Sequence, residues 1–152
     1  MKISSHVEKV DRLLQLRYRL DPLEDFELWY WTGLTAATNI WNASLHAQGL
    51  TNEDRAFSTI PGVHVVPQPD GSCRRELRGP GDVSHVGWPT IPGVMPAPIL
   101  RLEAALHALE AYRDPCLRGD RTPTQAIVDE CNTALSQALS VYDALVLQRR
   151  LP

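Results

Sequence analysis

At 152 residues the chain has the size of one domain, and its 43% hydrophobic and 22% charged residues are those of a globular protein rather than a disordered one. A net charge of −3 provides no overall field that would draw in nucleic acid or an anionic membrane surface. Cys73, Cys116 and Cys131 lack zinc-knuckle or redox-pair spacing, and the opening MKISSHVEKVDR has no apolar leader, so a cytoplasmic protein with reduced thiols is expected.

Ser5-His6-Val7-Glu8 has the capping-box pattern, and Ile3, Val7, Val10, Leu14 and Tyr18 then step by three and four. This predicts a first helix over about 5–20. Asp21-Pro22-Leu23-Glu24 repeats the box with proline at the first helical position, where its missing N–H costs nothing. A second helix follows over about 22–48, ended by Gly49 in the left-handed conformation. So short a connection predicts a tight antiparallel pair. From Leu28 to Asn52 there is no Asp, Glu, Lys or Arg, a length that could span a bilayer. The threonines, asparagines, serine, histidine and glutamine within it exclude that reading.

On a helical wheel the second helix shows small residues on one side (Gly33, Ala36, Ala43, Ala47) and bulky ones on the next (Tyr30, Leu34, Trp41, Leu45). Thr32, Thr35, Asn39, Asn42 and His46 fill a single stripe about 80° wide. The helix is therefore apolar over most of its circumference, with its polarity concentrated.

Residues 50–97 hold seven of the twelve prolines and no helical period. A structureless loop of that length is uncommon inside a domain. TIPGV occurs at 59–63 and again at 90–94, and Ile-Pro-Gly-Val suits a type II turn. Between the copies, VHVVPQPDGSCRREL alternates around Pro-Asp-Gly and predicts a short β-hairpin. The many valines, with Ile60, Trp88 and Ile91, predict a folded flap lying on the helices rather than a solvated linker.

Pro98 opens a third helix over about 98–113, with Ile99, Leu102, Leu106 and Leu109 as its stripe and Asp114-Pro115 as its stop. Thr122-Pro123-Thr124-Gln125 is a third capping box, and the fourth helix is predicted over about 122–149, with Ile127, Cys131, Ala134, Ala138, Val141, Tyr142 and Leu145 on one face. Together these predict an all-α chain: a single domain over 1–152, an antiparallel up-down four-helix bundle with a long Pro/Gly-rich flap between helices 2 and 3.

The stripe of helix 2 admits three readings: a water-facing surface, a buried hydrogen-bond network, or a ligand site under the flap. The third would use Asn39, Asn42 and His46 as its polar groups, with Trp31, Trp41 and Trp88 as apolar walls. His64 and His85 in the flap, and His107 four residues after Glu103, could join His46 around a metal. None has ligand spacing by itself, so neither a metal nor another cofactor is expected. No residue can be named as catalytic.

Arg101-Leu-Glu-Ala-Ala-Leu-His107 resembles the arginine-then-histidine motif of HEPN-type helical-bundle ribonucleases, which place both residues at a dimer cleft to cleave RNA. The resemblance covers seven residues and would imply a ribonuclease using Arg101 and His107. On the wheel those two stand about 120° apart, and the acidic chain offers no RNA-tracking surface. The leading expectation is a helical-bundle protein that acts by association, as a homodimer or partner-binding module. Its basis is surplus apolar surface: Leu13, Leu16 and Leu20 off the main stripe of helix 1, and helix 2 apolar on two sides. The alternative is a small enzyme or ligand-binding protein centred on His46, Asn39 and Asn42.

Overall fold

A computed structural model describes residues 1–53, 57–60, 63–77, 81–83, 86, 91 and 93–148, with the backbone alone at 57–60, 63–64 and 77. It is mostly helical, with four long helices: α1 (Ile3–Arg17), α2 (Phe26–Ala47), α3 (Ala97–Glu110) and α4 (Gln125–Tyr142). A small sheet of β1 (Phe57–Ile60), β2 (Val63–Pro67) and β3 (Cys73–Leu77) lies between α2 and α3 in sequence. Among the described residues, no helix is long and apolar enough to cross a membrane.

The helix ends differ from the sequence expectation in instructive ways. α1 begins at Ile3 because the Glu53 carboxylate accepts the Ile3 N–H at 3.1 Å, while the Lys2 carbonyl accepts from Ser5 and His6. Ser5 is thus inside the helix, and the expected Ser5–Glu8 box does not cap it. Asp21 does act as expected of a cap, its Oδ1 accepting from the amides of Leu23 and Glu24, but the return bond to its own N–H comes from Asp25. α2 proper therefore starts four residues later than proline placement suggested. α4 is capped by Thr124, which accepts from Ile127, rather than by Thr122. Asp114-Pro115 does not stop the chain outright: Asp114–Arg118 forms a π-helical turn, and another, Asp143–Leu147, ends α4.

Packing centres on α2. It lies against α1, α3 and α4, and α3 lies against α4. Ile99, Leu102, Leu106 and Leu109, the stripe read from sequence, are all fully buried, as are Ile127, Cys131, Ala134, Ala138 and Tyr142. Trp29, Tyr30, Ile40, Trp41 and Leu45 fill the centre from α2. Most of the apolar surface of α2 is thus covered within one chain, with Leu28 and Trp31 left exposed.

Segment 50–97 divides into two unlike parts. β2 and β3 form the expected hairpin, with Val65 opposite Arg75, and β1 adds a third antiparallel strand. Its turn uses Gly71 at φ 82°, where Asp70 Oδ1 accepts from the Ser72 amide and hydroxyl. Among the described side chains of the sheet, Cys73, Arg74 and Arg75 are exposed and Val65 and Val66 only half-buried. From the rest of the segment Val83, Val86 and Ile91 are buried in the core. In the second TIPGV copy Gly93 takes a positive φ of 113°. Pro61, Gly62, Thr90 and Pro92 lie outside the described residues.

Candidate metal centre

The polar stripe of α2 is buried where it matters: Asn39, Asn42 and His46 are all under 8% exposed. Buried carboxamides must be paired, and each bond here can be traced. Asn42 grips one residue of the incoming chain by both of its backbone polar groups. Its Oδ1 accepts the Val83 N–H at 2.7 Å and its Nδ2 donates to the Val83 carbonyl at 2.9 Å. That clamp fixes Asp82 immediately beside the helix.

The end of α2 places His46. Gly49, at φ 68°, lets its own N–H reach the His46 carbonyl and the Leu50 N–H reach the Leu45 carbonyl, the two bonds of a Schellman motif. The chain thereby doubles back, and Thr51, itself buried, sets its Oγ1 2.7 Å from His46 Nδ1. The other ring nitrogen of His46 lies 2.8 Å from Asp82 Oδ1.

A second histidine arrives from α1. His6 is 1% exposed, with Nε2 3.2 Å from the same Asp82 oxygen and Nδ1 2.9 Å from Asn39 Oδ1. The orientation of Asn39 follows from its other bond: Nδ2 donates to the Thr35 carbonyl at 2.7 Å, so its oxygen must face His6. An oxygen of that kind only accepts. His6 Nδ1 therefore carries the hydrogen, and a neutral His6 directs the bare lone pair of Nε2 at a carboxylate oxygen. Two lone pairs facing each other at 3.2 Å need a positive centre between them, either a proton or a cation.

His6 Nε2, His46 Nε2 and the Asp82 carboxylate lie within 4.8 Å of one another, a grouping that could hold a metal ion. Tetrahedral zinc with bonds of about 2.0–2.2 Å separates its donors by roughly 3.3–3.6 Å, so Asp82 Oδ1, at 2.8 and 3.2 Å from the two imidazole nitrogens, would move slightly away from them to admit an ion. Both imidazoles also have their second nitrogen held by an oxygen, as metal-ligating histidines do. The Met1 amino group donates to the same Asp82 oxygen at 2.6 Å. Burial alone would raise the Asp82 carboxyl, but the hydrogen bonds from His46, His6 and that amino group outweigh it and hold it well below the usual carboxylate range.

Of the residues anticipated for a site, the structure brings Asn39, Asn42 and His46 together and places Trp41 in the core. Trp31 is partly exposed on the outer face of α2. Trp88, His85 and the His64 side chain lie outside the described residues. His107 sits on the surface between Glu110 and Glu103, and Arg101 lines a separate groove with Ala104 and Gln137.

His6, Thr51 and Asp82 were missed. Two signals could have found the first and last. His6 falls three residues after Ile3 and four before Val10, on the inward face of α1, and Asp82 is the one Asp, Glu, Lys or Arg between Gly79 and Leu100. The expectation of no metal ligands rested on close spacing, which positions 6, 46 and 82 do not have. No family model, curated protein or solved structure matches this chain.

Proposed function

We propose that the chain is a metal-binding protein that holds one divalent transition-metal ion, zinc-like in its ligand preference, through His6 Nε2, His46 Nε2 and Asp82. The observation that carries this reading is the commitment of His6 Nδ1 to Asn39, which turns a second lone pair toward Asp82. Two imidazoles and a carboxylate suit zinc or iron(II) better than calcium or magnesium, which prefer oxygen. Three protein ligands leave a coordination position for water or a small ligand, the pattern of catalytic rather than closed centres. Metal-assisted activation of water is the chemistry such a centre supports. We read the four helices as an up-down bundle, supported by α1 on α2, α3 on α4, and α2 against α3 and α4.

The test is stoichiometric. Chelator-stripped protein titrated with zinc against a chromophoric competitor should take up one equivalent. His46→Gln should lose that uptake, and Asn39→Ala should weaken it by roughly tenfold or more through loss of second-nitrogen support. Protein that takes up neither zinc nor iron(II) at micromolar concentration would reduce the centre to a hydrogen-bonded latch.

Association of two copies is the second reading. Its support is Leu28 and Trp31, one turn apart on α2 and 52% and 39% exposed. Light scattering that finds a monomer at high concentration would remove it.

A further inference from the structure

Away from this centre, Arg17 is a second charge drawn into the fold. At the end of α1 it turns inward, and its guanidinium carbon lies 3.7 Å above the centre of the Trp29 ring. Gly33 makes the room, since a Cβ there would stand 3.1 Å from Arg17 Nε. Nη2 donates to Asn132 Oδ1 on α4 at 3.0 Å, while Nε is buried without a partner. Among the described residues no Asp or Glu pairs with this cation, although Arg74, Arg113 and Arg118 each have a carboxylate. Burial pulls its pKa down to about 10, the mark of a charge poorly compensated by its surroundings.

Arg17 lines a pocket of about 100 Å³ between α1 and α4, walled by leucines and edged by Tyr18, Asn132 and Ser136. Asn132 has its oxygen engaged by Arg17, which leaves its amide hydrogens to donate. Ser136, one helical turn further along α4, and Tyr18 add hydroxyls that can donate as well. A half-buried cation without a carboxylate partner is costly alone and is offset by an anion, and a planar guanidinium matches carboxylate and phosphate oxygens in pairs. The volume suits one such group rather than a whole cofactor.

We propose that this pocket binds the oxyanion group of a small ligand, carboxylate or phosphate, with Arg17 as its counter-charge and Asn132 and Ser136 as donors. The site shares no residue with the His6–His46–Asp82 centre and does not depend on it.

The experiment follows the thermal midpoint of the full chain in increasing inorganic phosphate, and separately acetate, against chloride at constant ionic strength. Expected is a saturable rise with at least one of them, and which one responds distinguishes a phosphate group from a carboxylate. Arg17→Gln also removes the stack on Trp29 and can cost folding, so the deciding variant is Ser136→Asp. It puts a carboxylate into the pocket, and should raise the midpoint in chloride and abolish the phosphate or acetate response. Asn132→Ala should weaken binding several-fold without abolishing it. A midpoint that follows neither anion beyond chloride overturns the proposal, and so does a response that survives Ser136→Asp.

Discussion

His107 on α3 stands 3.8 Å from Glu103 and 3.3 Å from Glu110, with half of its side chain in water. His6 and His46 approach Asp82 at 3.2 and 2.8 Å with side chains 1% and 0% exposed. The residue types are the same, imidazole beside carboxylate. The first cluster is built by one helix from neighbours three and four residues apart, a pattern visible in any sequence. The second is assembled from three segments, and each imidazole has its second nitrogen engaged by Asn39 or Thr51. Water screens the first and makes it interchangeable with any solvated ion pair. Burial and fixed orientation make the second chemically specific.

The sharpest way to break that contrast is Asp82→Asn. The substitution keeps the shape and one acceptor oxygen but removes the negative charge facing two buried imidazoles, so a loss of about 3 kcal/mol in urea unfolding of the metal-free protein is expected at neutral pH. The loss should depend on pH with a definite sign. Asp82 is depressed in the folded state, so the stability it contributes is complete above the ordinary carboxylate range and erodes as pH falls below about 4. The gap between the protein and Asp82→Asn should therefore close as pH falls below about 4. A gap that is small at neutral pH, or that widens in acid, would place the buried cluster with the surface one.

Asn42→Ala tests how the buried cluster is assembled rather than what it contains. It leaves both histidines and Asp82 in place but frees the Val83 amide and carbonyl from their side-chain partner. Unpaired buried groups of this kind cost about 1–3 kcal/mol, so a loss near 2 kcal/mol is expected by the same measurement. Zinc uptake should fall with it, because the clamp sets where Asp82 stands. If uptake is unchanged, Asp82 is held by the histidines themselves.

What could be read from the chain divides along the same line. The leucine stripe of α3, Asp21 as a cap, Gly49 as the left-handed end of α2, and the Asn39–Asn42–His46 stripe are local facts, repeated every three or four residues or fixed within one turn. Each appears in the structure where periodicity put it. The partners of the stripe are not local. His6 reaches Asp82 across 76 positions and Asn42 reaches Val83 across 41, and a contact of that kind leaves no period behind it. Ser5-His6-Val7-Glu8 also misled in a physical way. A capping box reads the same whether or not a distant carboxylate, here Glu53, takes over the first amide. The flap showed a mixture: its hairpin was legible from Pro-Asp-Gly, but the burial of Val83 beside Asn42 depends on a distant contact that no local pattern records.

The smallest expected effect comes from the surface cluster and completes the contrast. His107→Ala removes two carboxylate contacts, one of them beyond ordinary hydrogen-bond length, from a side chain half in water. Exposed pairs of this geometry are worth about 0–1 kcal/mol, and alanine recovers part of that through its higher helix propensity. The net change in urea unfolding should stay within about 0.5 kcal/mol and shrink further in 1 M salt. A loss comparable to that of Asp82→Asn would mean that His107 is covered by something other than water. The residues it shares α3's outer face with, Glu103 and Glu110, would then be the next to replace.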